Sequence, residues 1–92
     1  MIVSFGDGAT HAVWIGTHSR KWMNIRAVAL RRLAMLNRAA MLDDLRVPSS
    51  NHLKPLVGDR AGQYSIRIND QYRICFIWRD GHAHDVRIVD YH

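Results

Sequence analysis

After Gly62 the hydrophobic pattern of this chain changes period, from helical to two, and that switch limits the folds open to it. Upstream, Ile25, Ala29, Leu33, Leu36 and Ala40 fall on one face of a helix, with Trp22 leading the row. Ser19 offers a cap, so the spacing predicts a long helix from there to about Arg38. Asn24, Arg31 and Arg38 lie on another face, which makes the helix basic outside. Downstream, Tyr64–Ile68 alternates, Asn69-Asp70 turns, and Tyr72–Trp78 alternates again. Asp80-Gly81 is a type I′ hairpin signal leading into a last strand over His84–Asp90.

The remaining segments fit around these two blocks. Met1–Phe5 reads as a first strand. Asp7 can cap a short helix over Ala9–Ile15, which Gly16-Thr17 breaks. Met41–Leu45 adds a turn of helix before a loop at Val47–Asn51. With 92 residues there is room for one core, so residues 1–92 are read as a single domain. The predicted fold is α+β: an N-terminal strand, then two helices packed on a mainly antiparallel sheet completed by a C-terminal three-strand meander. With Asp80-Gly81 as a two-residue turn, Arg79 faces His82 and Arg73 faces Ile88, so Arg73 and Asp90 share a sheet face. Tyr72, Ile74, Phe76 and Trp78 occupy the other, which should pack under the helices. Trp14 and Trp22 are expected to pack between the helices.

Charge is unevenly spread. Residues 1–42 hold Arg20, Lys21, Arg26, Arg31, Arg32 and Arg38 against Asp7 alone, while residues 43–92 hold seven basic and seven acidic side chains. The net +5 therefore sits on the helical half. A basic face suggests nucleic acid or an acidic protein surface as partner, although a merely solvated helix face is as common. No apolar run approaches the roughly 20 residues of a membrane span, and no secretory signal opens the chain. The single cysteine, Cys75, suits a reducing compartment, so a cytoplasmic location is expected. Cys75 has the placement of a core residue rather than a nucleophile. His82 and His84, with His92, make only a weak zinc pattern, and no metal or other cofactor is expected.

The chain ends Asp90-Tyr91-His92. Cleaving RNA takes a base for a 2′-hydroxyl, cations for the phosphate, an acid for the leaving 5′-oxygen, and a group that positions the nucleobase. The chain has no Glu, which leaves Asp, His, Tyr or Lys for the proton transfers. Asp90 and His92 suit them, Arg73 suits a phosphate clamp, and Tyr91 suits stacking or proton transfer. Arg60, in the turn Gly58-Asp59-Arg60, can also touch phosphate. Each of these has a commoner use taken singly: a frayed terminus, a strand-end turn, a surface ion pair.

The run LKPLVGDRAGQYSIRINDQYRICFIW, followed by DVRIVDYH, resembles the HigB branch of the RelE/ParE toxin superfamily. MIVSF, LRRLAMLNRAAMLDDLRVP and NHLKPL are similar too, so the likeness covers nearly the whole chain and is weakest over residues 6–20. It implies a RelE-like fold and a toxin of a type II toxin–antitoxin system. Such toxins are ribosome-dependent mRNA endoribonucleases, neutralised by a helix-turn-helix, HigA-like antitoxin. The partners implied are therefore that antitoxin, the ribosome and mRNA, with DNA met only through the antitoxin and no membrane. The pattern carries Asp90, Tyr91 and His92 onto this chain as an active-site group, with Arg73 beside it. Some relatives have His at position 54 and often Lys at 57, where this chain has Lys54 and Val57. Lys54 and His52 both remain candidates for the second proton-transfer group, and His52, Arg60 and Arg67 for RNA and phosphate contacts. Two other readings stay open: a ParE-like toxin that binds DNA gyrase, and a weakened toxin acting as an antitoxin-bound co-repressor.

Overall fold

The computed structural model describes residues 1–17, 20–60 and 62–90. Helix α1 spans Gly8–Ile15. Its cap is Asp7, whose carboxylate accepts the Thr10 N–H at 2.7 Å, worth about 1 kcal/mol. Gly16, in the left-handed region at φ +79°, closes it. Helix α2 spans Arg26–Arg38, shorter than the spacing predicts. The preceding turn, Met23–Ile25, tightens to 3-10 geometry where Trp22 docks edge-on against Tyr72, ring centroids 5.2 Å apart. Ser19 lies outside the described residues. Ile25, Ala29, Leu33 and Leu36 are buried as the period requires. The row then ends on Ala39 instead of Ala40, because the backbone turns extended at Ala39 and swings the next residue out.

Four antiparallel strands form one sheet in chain order: β1 (Lys54–Pro55), β2 (Gln63–Arg67), β3 (Tyr72–Arg79) and β4 (His82–Asp90). The meander is thus extended by the short edge strand β1, which two residues were too few to signal. Met1–Phe5 runs parallel to β4 along its outer edge, touching the ladder at Ile2–Ala83 and Phe5–Val86. Asn69 makes the β2–β3 turn, its Oδ1 accepting the N–H groups of Gln71 and Tyr72. Asp80 and Gly81 both take positive φ, as the type I′ turn demands. One sheet face packs under the helices: Ile66, Ile74, Phe76, Val86 and Ile88 meet Val13, Ala29, Leu33 and Leu36 in one core. Tyr72 and Trp78 pack at its margin, as does Trp14, while Trp22 joins the core itself.

The register of β3 against β4 differs from the sequence reading. Arg79 does face His82, but Arg73 faces Val89 and Tyr72 faces Asp90. The cause is a bulge: Cys75 pairs with Arg87 and Ile77 with His84, so two residues of β4 stand against Phe76. Asp85, at φ +55°, supplies the kink. One extra residue reverses the side on which every later residue of β4 projects. Asp90 is therefore on the helix side of the sheet and Arg73 on the open side.

Candidate functional site

The open sheet face is built by cross-strand pairing. Lys54 lies opposite Ser65, Ser65 opposite Cys75, and Cys75 opposite Arg87, a four-strand ladder on the side away from the helices. Arg67 and Arg73 pair with each other on the same side. The sheet half of the chain carries no net charge, yet its cations gather here, while Asp70 and Asp85 sit beside Arg67 and Arg87 as ion-pair partners.

At one end of this face is a cavity of about 280 Å³ lined by His52, Lys54, Arg67, Asn69, Asp70 and Arg73. It brings together four of the residues singled out in the sequence: His52, Lys54, Arg67 and Arg73. Arg73 is 6% exposed. Its Nε donates to the Ser65 hydroxyl at 2.8 Å and its Nη2 to the carbonyl oxygens of His52 and Ser65. A buried guanidinium needs such partners, since an unmatched charge in a low-dielectric site is costly. His52 itself sits in the left-handed region at φ +44°, leaving the 3-10 turn Ser49–Asn51 with its N–H donated to Ser49. Asn51, fully buried, donates to the Leu45 carbonyl and accepts from Arg32 at 2.7 Å. The loop that delivers His52 and Lys54 is thus tied to helix α2 on one side and to β3 on the other.

Arg60 and Asp90 lie apart from that cavity. They line a groove of about 530 Å³ with Lys21, Trp22, Tyr72 and Arg87. The Gln71 amide donates to the Asp90 carboxylate at 3.2 Å. Asp90 is the cross-strand partner of Tyr72, so it ends β4 beside the start of β3, one position from Arg73 but on the opposite face. Tyr91 and His92 follow it in the chain and lie outside the described residues. Among the described residues, no group of three or more His, Cys or Asp side chains is arranged to hold a metal ion.

Three features of the site were not singled out in the sequence. Ser65 is a strand residue of no apparent distinction until the register places it against Arg73. Arg87 reads as one more surface cation, but its guanidinium folds over Gly6 so closely that a Cβ there would lie 2.4 Å from Nε. A side chain at position 6 would push that guanidinium, the mobile end of a half-exposed arginine, aside. Asn69 could have been found from its turn position. Cys75 is buried, within the electrostatic influence of Arg60, Arg73 and Arg87. Burial pushes its thiol pKa up, and the three guanidinium groups only partly offset that, so it is a poor nucleophile.

Comparison with known proteins decides the family. The model of the HigB-like toxins, described as the RelE-like toxin of the type II toxin–antitoxin system HigB, matches residues 5–92. The chain belongs to the HigB-like toxin family. Toxin HigB-1 of Vibrio cholerae serotype O1 (strain ATCC 39315 / El Tor Inaba N16961) is 42% identical over 60 residues, covering 65% of this chain and 63% of that toxin. The match thus spans a little under two thirds of the toxin's length. An uncharacterized protein of Haemophilus influenzae is 34% identical over 70 residues, 76% of this chain and 69% of that protein. In fold, this HigB-like chain is similar to the YoeB–YefM complex from Staphylococcus aureus, with TM-score 0.63, 16% identity, and coverage of 100% of this chain and 98% of that one. It is similar also to the YoeB/ParE toxin from Agrobacterium tumefaciens, with TM-score 0.54, 20% identity, and coverage of 97% and 99%. The RelE-like α+β architecture read from the sequence is therefore the family's own. Among the described residues, no helix is long and apolar enough to cross a membrane.

Proposed function

We propose that this chain is a ribosome-dependent mRNA endoribonuclease, held inactive by a helix-turn-helix antitoxin of the HigA kind. The observation that carries the reading is the cavity where the buried Arg73 guanidinium meets His52, Lys54 and Arg67. The 2′-oxygen attacks the adjacent phosphorus, a 2′,3′-cyclic phosphate forms, and the bond to the 5′-oxygen breaks. The 2′-hydroxyl proton goes to a base, and an acid returns one to the leaving oxygen. Arg73 and Lys54 counter the charge that grows on the phosphate, with Arg67 and Arg60 on flanking phosphates. On this reading Asp90 and His92 make the proton-transfer pair, and His52, which lines the cavity, is the further candidate for that role. Tyr91 stacks on a nucleobase. Asp90 stands on the helix side of β4, held by Gln71 and across the sheet from Arg73, and the reading has it act from there.

The test is a map of mRNA 5′ ends after brief induction of the chain, with and without substitution of His92. New ends inside translated codons, absent when His92 is replaced and absent when the antitoxin is co-expressed, are the expected result. Intact mRNA alongside DNA breaks or gyrase inhibition would overturn it in favour of a gyrase-directed toxin.

A further inference from the structure

Ser65 lies wholly inside the protein, and its hydroxyl accepts the Arg73 Nε–H at 2.8 Å. The same guanidinium fixes the carbonyl of His52, a residue whose backbone stands in the left-handed region and which lines the cavity with Lys54. Among the described residues, no other contact of its side chain calls for a serine at position 65. Its neighbours in the sheet are Lys54 on one side and Cys75 on the other, and a small apolar residue would fill the same volume. We propose that Ser65 is a positioning residue for the endoribonuclease site. By orienting Arg73, it sets both the phosphate-facing guanidinium and the His52–Lys54 loop that this guanidinium anchors.

The physical reason is that a guanidinium is a planar fork with fixed donor directions. With Nε held by the Ser65 hydroxyl, the plane of the fork is set, and Nη2 then reaches the His52 carbonyl. Released at Nε, the fork keeps its Nη2 contacts with the His52 and Ser65 carbonyls but loses the bond that sets its plane, and both functions shift together. A displacement of about 1 Å at a reacting group costs on the order of 10²-fold in rate. Ser65 touches neither substrate nor reacting atoms, so its influence runs entirely through Arg73.

This inference rests on the endoribonuclease reading, and the experiment separates the two. Cleavage of ribosome-bound mRNA is measured under single-turnover conditions for the parent chain, Ser65→Ala, Ser65→Cys and Ser65→Thr, each corrected for folded fraction by thermal melting. Cysteine keeps the volume and loses the good acceptor, which serves if the alanine variant does not fold. The maximal rate is expected to fall about tenfold or more in the Ala and Cys variants. The ribosome concentration for half-saturation should stay within about threefold, because the basic surface is unchanged. Threonine, which keeps the hydroxyl, should restore most of the rate. Amide hydrogen exchange across His52–Lys54 reads the anchoring without any cleavage and should quicken in the Ala and Cys variants. A rate loss explained by folded fraction alone, no recovery with threonine, or unchanged exchange at His52–Lys54 would overturn the role of Ser65. A parent chain that leaves ribosome-bound mRNA intact overturns the endoribonuclease reading instead, and the exchange result still decides whether Ser65 anchors the loop.

Discussion

At Arg73 charge and burial meet in one side chain, and this makes its substitution different from that of its neighbour Arg67. Removing the Arg73 guanidinium leaves the Ser65 hydroxyl and the His52 carbonyl without that donor in a closed site. Arg73→Ala is expected to lower stability by about 1–3 kcal/mol in urea denaturation and to cut cleavage by roughly 10²-fold or more. Arg67 is a third exposed and paired with Asp70, which is almost fully solvated. Such a pair contributes little, so Arg67→Ala should stay within about 0.5 kcal/mol and lose less activity. At the chain end, deleting His92 should hardly move the melting temperature and should reduce cleavage by about 10²- to 10⁴-fold, the worth of a positioned acid or base. Cys75 supplies a pH prediction. Its folded pKa is raised above the unfolded value, so its contribution to stability is fully present below the unfolded pKa and is lost as pH rises through the folded one. Stability should therefore fall on the alkaline side of the ordinary thiol pKa, and Cys75→Ala should flatten that limb. A pH series of urea midpoints checks it.

Among the elements, β4 is the one whose detail matters most. Its regular ladder is interrupted at Asp85, a non-glycine residue at φ +55°. Asp tolerates that region through its short polar side chain, glycine tolerates it freely, and a β-branched residue does not. Asp85→Gly should thus be near neutral, since the Asp85–Arg87 pair it removes is half exposed. Asp85→Val should cost about 1–2 kcal/mol. Urea midpoints for the two variants compare them directly, and equal destabilisation would mean that the ion pair, not the backbone, is what Asp85 provides. The loop before β1 has a similar dependence on one buried side chain, Asn51, through its bonds to Arg32 and the Leu45 carbonyl.

For the whole molecule, the distribution of charge predicts how it meets RNA. Cations of the open sheet face and of the helices lie on different sides of one small body, so contact with phosphates should be spread and salt-sensitive. Binding of a single-stranded RNA to a His92-deleted chain should weaken with salt by about 0.7 in log affinity per log salt for each phosphate neutralised. Lys54→Ala or Arg87→Ala should each lower that slope by up to about 0.7. A slope unchanged by either would place the RNA on the helices. Expressed alone, the chain should arrest translation, with recovery on co-expression of its antitoxin; normal growth with abundant soluble, unpartnered protein would contradict this.

What the sequence by itself determined is whatever depends on neighbours in the chain. The helical row from Ile25 to Leu36, the Asp7 cap, the Gly16 stop and the Asp80-Gly81 hairpin follow from local periodicity and backbone preference, and the structure bears them out. The likeness to HigB toxins was legible for the same reason, since it lies in contiguous runs. Tertiary structure alone decided which side chains face one another across strands. A single extra residue in β4 moved Asp90 to the helix side, and no alternation of polar and apolar residues announces a bulge. Likewise the meeting of His52, Lys54, Arg67 and Arg73, and the hold of Ser65 on Arg73, join residues far apart in the chain. Pairing across a sheet is fixed by register, and register is settled only when the whole core packs.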